Sequence, residues 1–412
     1  MRILIATPVY YPMINGVAMF SHQLAVGLAR RGHEVMVLTP SQNKERHMET
    51  KDGVMVTYLK SKDLKVYPDQ IHKVPEKRGL FYKHGLKASI FPYGQVKRTL
   101  GIFRPDVVHV QGADPIGVAV VNYAKKHKIP VVTTEHNQPE VLTEPLHVPG
   151  AVRKPINNVI SAYFRGRQRK SDYVTMPTVP AIEHLFQGRD LGVPVEAVSN
   201  GVDLTAFKPG KADPIYYNKY NIPVGTPILL YVGRVDPEKK VGVVVEAFFN
   251  FLIEHKLDKL SKTLLLVVGD GVDKNRVERE AATFGISASV RFLGRVMPPE
   301  LYQIYKMGDA FVTASEIETQ GIVLIEAAAS GLPLIAVDAG AVAEICKNGE
   351  NGFLLKPGDV KGMTKAMSLI LGDDNMRGLM SKKSVEIAEK HDFSHTLDKF
   401  LEIYQKVIAK KH

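Results

Sequence analysis

Two short segments in the second half of this 412-residue chain carry side chains suited to holding a diphosphate and a polyhydroxylated ligand together. Gly233-Arg234 follows the apolar run Ile228–Val232, and Lys239 stands five residues beyond Arg234. A guanidinium can fork two phosphate oxygens, and an ammonium adds a mobile point charge. Both suit a departing diphosphate, which gains negative charge in the transition state. Asp236-Pro237-Glu238 and Lys240 are equally ordinary in a solvated turn, so this segment alone leaves two readings open. The second segment, Glu318-Thr319-Gln320-Gly321-Ile322-Val323-Leu324-Ile325-Glu326, holds two carboxylates eight residues apart. Gly321 is predicted to open a helix ending near Ser330-Gly331, with Glu318 in the preceding loop and Glu326 on the second turn. Free amides at such a helix start form an anion site. Glu326 lies amid Ile325, Ala327, Ala328 and Ala329, and a carboxylate among apolar neighbours calls for a partner or a ligand. The alternative is a solvated glutamate on an exposed face.

The first half offers less. Asn15-Gly16-Val17 follows the opening apolar run, and Gly16 allows close backbone approach to a phosphate, although a glycine there also makes a simple turn. His136, in Thr133-Thr134-Glu135-His136-Asn137, sits just past a strand end, where it could donate to a sugar hydroxyl or an acceptor phosphate, or bond a local carbonyl. Glu135 and Asp114 are rival polar candidates there.

These residues need a scaffold of strand ends. Uniformly apolar runs suit strands covered on both faces. In the first half they are Arg2–Ala6, Val35–Thr39, Val107–Val110, Val131–Thr134 and Tyr173–Met176. In the second they are Ile228–Val232, Leu264–Val268, Val290–Leu293, Phe311–Thr313 and Leu334–Val337. Amphipathic segments such as Ser21–Arg31 and Lys361–Leu371 lie between them. The alternation predicts an α/β chain of two doubly wound, Rossmann-like parallel-sheet domains, residues 1–198 for the acceptor and 199–392 for the nucleotide ligand, with a final helix, 393–412, returning to the first and carrying Leu397, Phe400, Leu401, Tyr404 and Val407 on one apolar face. A chain of this length exceeds what one core usually organises.

Net charge is +11, and all of the excess lies early: residues 1–200 hold 27 Lys+Arg against 16 Asp+Glu, while residues 201–412 hold 27 of each. Such a field suits an anionic partner, and it also serves solubility. The single cysteine, Cys346, rules out an intrachain disulfide and fits a reducing, cytoplasmic setting. The N-terminus reads as lacking a signal-peptide apolar region, and the stretch Gly321–Cys346 is interrupted by Glu326, Pro333, Asp338 and Glu344, unlike a membrane span.

In order and spacing, these motifs resemble the retaining glycosyltransferases of family four, which have the two-domain GT-B fold with a cleft between domains. The resemblance runs through Asn15-Gly16-Val17, Gly32-His33-Glu34-Val35, Arg104-Pro105-Asp106-Val107-Val108-His109 and Ser199-Asn200-Gly201-Val202-Asp203. It continues through Gly233-Arg234 with Glu238-Lys239, Val268-Gly269-Asp270-Gly271, Arg291-Phe292-Leu293-Gly294, and Glu318 to Glu326 followed by Gly331-Leu332-Pro333. The resemblance implies transfer of a hexose from a nucleotide-diphosphate sugar, UDP-glucose before GDP-mannose, with retained anomeric configuration and no bound metal or other cofactor. It implies that Glu318 meets the sugar hydroxyls, Glu326 holds the ribose, and Arg234 and Lys239 grip the diphosphate. Amides of Gly233, Thr319, Gln320, Gly321, Ile322, Asn15 and Gly16 would help, with backbone around Arg291 and Leu293 lining the base pocket and His136 near the reacting sugar. The chain departs from the pattern at Asn15-Gly16, where two glycines are common, at Gln320, where an apolar residue is usual, and at Lys240.

The segment Arg153–Lys170 carries Ile156, Val159, Ile160, Tyr163 and Phe164 at helical spacing, flanked by Arg153, Lys154, Arg165, Arg167, Arg169 and Lys170. A second basic and aromatic stretch runs through Phe81-Tyr82-Lys83-His84, Lys87, Phe91, Tyr93, Lys97 and Arg98. Such surfaces can lie on anionic lipid, here the inner face of the plasma membrane, or can pack inward with their charges solvated. Lipid glycosyltransferases resemble the chain in style, so the expected acceptor is a membrane lipid such as diacylglycerol or a phospholipid. A soluble or polysaccharide-precursor acceptor, a nucleotide-sugar epimerase and a non-catalytic nucleotide-sugar binder are the alternatives. Nucleic-acid binding lacks a zinc-finger or RNP-like motif, a dehydrogenase lacks GxGxxG after the first strand, and a glycogen-type phosphorylase needs a far longer chain.

Overall fold

The computed structural model describes all residues except Ile14, 64–86, Asn137, 144–149 and His412. Phe81-Tyr82-Lys83-His84 and Asn137 therefore lie outside the described residues. The chain forms two compact units, Met1–Asn200 with Thr396–His412, and Gly201–His395. The first carries 31 Lys+Arg against 18 Asp+Glu, the second 23 against 25.

The first unit is built on β1 (Arg2–Ala6), β2 (Glu34–Pro40), β3 (His47–Lys51), β4 (Val54–Leu59), a small ribbon of β5 (Lys62–Asp63) and β6 (Lys87–Ala88), then β7 (Val107–Gln111), β8 (Val131–Thr134), β9 (Tyr173–Met176) and β10 (Val195–Ala197). Eight of these form one sheet in the order β10-β9-β8-β7-β1-β2-β4-β3, parallel except for β3. Alternate residues serve opposite faces. Leu4, Ala6, Met36, Leu38, Val108 and Val110 pack with the helices Tyr93–Phe103 and Pro115–Lys126, while Ile3, Ile5, Val35 and Val37 are buried on the other face.

The second unit adds β11 (Ile228–Val232), β12 (Leu264–Val268), β13 (Val290–Gly294), β14 (Ala310–Val312), β15 (Leu334–Val337) and β16 (Gly352–Leu355). All are parallel, in the order β13-β12-β11-β14-β15-β16. Counted within the unit this is 3-2-1-4-5-6, the doubly wound order whose ligand crevice opens outside the carboxyl ends of its first and fourth strands. Leu229, Tyr231, Leu265 and Val267 face the helices Val241–Glu254 and Val360–Gly372. Leu230, Val232, Leu266 and Val268 face Glu300–Met307 and Ile322–Ala329.

Sequence patterning misses β3, β4, β5, β6 and β16, places β14 one residue late, and starts the first helix at Ser21 where it begins at Gly16. β3 is exposed throughout, so no apolar run marks it. The early helix start comes from Asn15, whose side chain accepts from the Ala18 amide at 2.8 Å and supplies the cap. No helix among the described residues is long and apolar enough to cross a membrane.

The loops after β11 and β12 are clamped together at their glycines. Gly269 donates to the Gly294 carbonyl and Gly233 to the Val268 carbonyl, at 2.8 and 2.9 Å. Gly269 has φ +136°, and a Cβ there would sit 1.8 Å from the Gly233 carbonyl oxygen. Gly269→Ala is therefore expected to lower stability by about 2–4 kcal/mol through backbone strain and steric conflict. Urea unfolding checks this, and an unchanged midpoint would contradict the close approach.

Candidate functional site

The residues singled out in the second half gather on one edge of the second sheet because all its strands run in one direction. Gly233-Arg234 leaves β11, and Ser315 to Gln320 follow β14 across the point where strand order reverses. Lys239, at the end of a 3-10 turn Pro237–Lys239, reaches across this point. Its ammonium donates to Glu318 Oε1 at 2.7 Å, Ser315 Oγ at 3.2 Å and the Ile317 carbonyl at 3.4 Å. Both members of the Lys239–Glu318 pair are largely shielded, with 16 and 14% of their side chains exposed. Gly340 supports the Glu318 backbone from the loop after β15, at a distance where a Cβ would lie 2.4 Å from the Glu318 carbonyl.

Arg234 is half exposed and turns within its own loop, donating to Asp236 and, at 2.6 Å, to Glu238 Oε1. Its carbonyl accepts from the buried Tyr231 hydroxyl at 2.6 Å, which ties the loop to the strand that precedes it. A phosphate bound here would replace these carboxylate partners of the guanidinium.

Gly321, at φ +77°, initiates the helix Ile322–Ala329 with no side-chain cap. The amides of Ile322 and Val323 in the first turn precede the intrahelical bonds, which begin with Leu324 donating to the Gly321 carbonyl. Gln320 is buried beside this start, and Thr319 lies in the same loop. Glu326, one turn in, accepts from the Tyr305 hydroxyl at 2.7 Å. Burial raises its pKa from 4.5 to about 7, and the Tyr305 bond pulls the other way. Tyr305 is the partner that sequence reasoning did not name. It lies on Glu300–Met307, packed edge-on to Phe207.

Arg291 has a different occupation. Its guanidinium donates to the carbonyls of Tyr220 and Asn221 and so fixes the turn after the helix Pro214–Lys219. That leaves backbone, together with the half-buried Leu293, to present a surface at the end of β13. A cavity of about 360 Å³, lined by Tyr305, Lys306, Asp309 and Arg377 among others, opens at the opposite, amino-terminal edge of this sheet; it takes in the turn 330–333 but none of Arg234, Lys239, Glu318 and Glu326.

In the first unit, the loop after β1 leads to Asn15 and Gly16, where the Asn15 carboxamide oxygen is engaged as helix cap. His136 follows β8. Its Nε2 lies 2.7 Å from Gln111 Oε1, and its ring meets Phe20 edge-on with centroids 5.1 Å apart. Burial lowers its pKa to about 4. The ring is therefore neutral near pH 7, with one nitrogen committed to Gln111. Glu135 is fully buried and accepts from Gln168, and Asp114 caps the helix Pro115–Lys126, so neither rival projects freely into a site.

The helix Gly150–Gln168 corrects the expected basic surface. Phe164 and Ile160 pack into the cluster with Val174, Met176 and Leu185, and Arg165 is buried, donating to the Leu185 carbonyl at 2.8 Å. Phe164 and Arg165 are therefore interior residues, because the helix turns that side to the sheet. The solvent side instead shows Val152, Ile156, Val159 and Tyr163, exposed by 46, 38, 70 and 46%. Their spacing of four, three and four residues is a continuous helical stripe. Arg167 lies over the Tyr163 ring, and Lys154, Arg169 and Lys170 are exposed at its margins, with Arg153 half-buried. In the second stretch, Lys87 is buried against Asp63, while Phe91, Tyr93, Lys97 and Arg98 are exposed.

Residues 213–386 match the family described as glycosyl transferases group 1, and residues 14–206 match glycosyltransferase family 4. A GDP-mannose-dependent alpha-mannosyltransferase of Mycobacterium tuberculosis is 27% identical over 93% of this chain and 92% of its own length. An alpha-monoglucosyldiacylglycerol synthase of Streptococcus pneumoniae is 28% identical over 82% of this chain and 71% of its own. The sulfoquinovosyl transferase of Arabidopsis thaliana is 29% identical over 71% of this chain, which spans about half of that relative, 54%. Among solved structures, Anabaena HepE in complex with UDP and glucose superposes with a TM-score of 0.72, at 15% identity, covering 98% of this chain and 100% of that one.

The raised pKa of Glu326 gives the site a pH signature. Between pH 4.5 and about 7 the folded protein keeps a proton that the unfolded chain releases. Stability from this group is complete below 4.5 and is lost as pH rises through 7. Relative to Glu326→Gln, the wild type should lose about 1–2 kcal/mol over that window, allowing for the partial exposure of the carboxylate. Parallel stability profiles of the two proteins would contradict the placement.

Proposed function

We infer that the chain is a family-four glycosyltransferase of GT-B fold, an enzyme that transfers a hexose. On that premise we propose that it retains anomeric configuration, uses UDP-glucose before GDP-mannose, and delivers the sugar to a membrane lipid such as diacylglycerol or a phospholipid. The bond between the anomeric carbon and the diphosphate oxygen breaks. The acceptor hydroxyl oxygen bonds that carbon from the same face, and its proton passes to the leaving phosphate.

In this reading the Lys239–Glu318 pair opens on donor binding. Lys239 turns to the diphosphate with Arg234 and the amides of Gly233 and Thr319–Ile322, and Glu318 accepts from sugar hydroxyls. Glu326, held by Tyr305, accepts from the ribose. Two cations and a helix start then supply the positive field for the leaving group without a metal ion.

One observation carries the lipid acceptor: the solvent-facing stripe Val152, Ile156, Val159 and Tyr163 with exposed basic residues beside it. An apolar stripe enters the acyl boundary while neighbouring cations meet anionic headgroups, each contributing about 1 kcal/mol near the surface. The positive excess of the first unit acts in the same sense. Relatives named for lipid glycosylation agree with this reading, and those named for other acceptors supply its rival.

Turnover of UDP-glucose with vesicles of diacylglycerol and phosphatidylglycerol tests the whole. Glucolipid should form, and Arg234→Ala and Glu326→Ala should each lower the rate by about 100-fold in folded protein. Val159→Asp with Tyr163→Asp should abolish vesicle binding while leaving donor affinity unchanged. Full turnover on a soluble sugar acceptor, with no response to vesicles, would sink the lipid assignment.

A further inference from the structure

Behind His136 the first unit holds a chain of buried polar side chains that the proposed reaction does not use. Gln111, at the carboxyl end of β7, is 1% exposed. Its Oε1 lies 2.7 Å from His136 Nε2 and its Nε2 lies 3.3 Å from His109 Nε2. His109, fully buried in the same strand, places Nε2 2.6 Å from Thr134 Oγ1 and Nδ1 2.7 Å from the Tyr404 hydroxyl. Thr134 Oγ1 in turn lies 2.6 Å from Thr175 Oγ1. The run therefore crosses β7, β8 and β9 and ends on the helix Phe393–Ala409.

An amide is not symmetric. Its oxygen accepts and its nitrogen donates. With Oε1 toward His136, the His136 proton must sit on Nε2, leaving a lone pair on Nδ1. With its nitrogen toward His109, His109 presents a lone pair at Nε2, and its own proton lies on Nδ1, directed to Tyr404. We infer that Gln111 is a positioning residue that fixes the tautomer of His136, so that this histidine meets a sugar hydroxyl as a hydrogen-bond acceptor through Nδ1. This assigns His136 an accepting role where the sequence left open a donor or a structural histidine bonded to a local carbonyl. The hydrogen bond made by one ring nitrogen sets what the other can do. Burial, which holds His109 near a pKa of 3 and His136 near 4, keeps both rings neutral and the direction of the chain single. Glu135, the nearby buried carboxylate, is occupied by Gln168.

The inference rests on the reading that His136 acts at the reacting sugar, and two measurements separate the claims. The first is nitrogen NMR of the imidazoles in the full, ligand-free chain, with His136→Gln assigning the signal. The wild type should show the Nε2–H tautomer at His136, and Gln111→Leu should convert it to a mixture. An Nδ1–H signal in the wild type, or a spectrum unchanged in Gln111→Leu, overturns the inference without touching the assigned reaction. The second is turnover of UDP-glucose with diacylglycerol vesicles. Gln111→Leu should lower kcat by about 10- to 100-fold, the scale on which an outer partner of a functional imidazole acts, with the donor KM within about twofold. Gln111→Glu keeps the acceptor oxygen and should restore much of kcat. Because its carboxylate favours the charged ring, the acidic limb of its pH–rate profile should move to higher pH. Equal losses in Gln111→Glu and Gln111→Leu, with no movement of that limb, would mark Gln111 as merely structural. If His136→Ala turns over at the wild-type rate while the NMR pattern holds, the role of His136 in transfer fails and the tautomer assignment stands.

Discussion

Backbone passes so closely over backbone at the carboxyl edge of the second sheet that side chains are excluded there. The Gly233 carbonyl occupies the space a Cβ of residue 269 would need, and the Val235 carbonyl approaches Gly271 to within 2.2 Å of such an atom. Val235 donates to the Asp270 carbonyl, Asp273 donates to the Val235 carbonyl, and the Val272 amide donates to Asp236. The loop bearing Arg234 and Lys239 is thereby stitched to its neighbour before any ligand arrives. Pre-ordering matters because the ammonium of Lys239 must be aimed across the sheet to Glu318, and a loop free to wander would lose entropy on every binding event. The parallel direction of all six strands makes such stitching possible, since it brings every βα loop to one side.

The carboxylates on this edge are handled in two ways. Glu318 has a cation beside it and backbone support from Gly340. Among the described residues Glu326 accepts from one neutral hydroxyl, and burial dominates its energetics. A neutral donor offsets part of the desolvation cost and leaves room for a ligand hydroxyl to offset more. In the proposed donor site the pair would therefore ask different things of a ligand: at Glu318 it would displace an ion pair, and at Glu326 it would add a bond to a carboxylate held by one hydroxyl.

Much of this was legible because buried parallel strands are written as unbroken apolar runs. Ile228–Val232, Leu264–Val268 and Leu334–Val337 could be read to the residue, and the ends of the first two located Gly233 and Gly269, while the Glu318 loop follows β14, read one residue late. The signal failed where burial is one-sided or absent. β3, His47–Lys51, is polar and exposed on an antiparallel edge, and its presence is announced by the turn Asp52-Gly53, whose positive φ values of 52 and 78° suit a tight hairpin. Helix faces were harder still. Ile156, Val159, Tyr163 and Phe164 all fit one helical pattern, and only the packing of Phe164 and Ile160 against Val174 and Leu185 decides which edge of that pattern meets water. Partners of site residues were least legible. Tyr305 and Gln111 carry no motif, and each gains its meaning from a residue distant in sequence, Glu326 or His136.

The helix that ends the chain shows how such distant pairing binds the first unit together. From Thr396 its residues belong with the first 200, and Leu397, Phe400, Tyr404 and Val407 are buried along one face. Phe400 lies against Phe20 and His109, while the Tyr404 hydroxyl meets His109 Nδ1. Phe20 also touches His136. Phe20 thus packs on His136, and the rings of Phe400 and Tyr404 pack on His109. Apolar enclosure accounts for their lowered pKa values, and the directional polar chain accounts for which nitrogen of each ring bears the proton. Neither alone would suffice: a dry pocket without Gln111 would leave the tautomer to chance, and Gln111 in water would compete with solvent for the same bond.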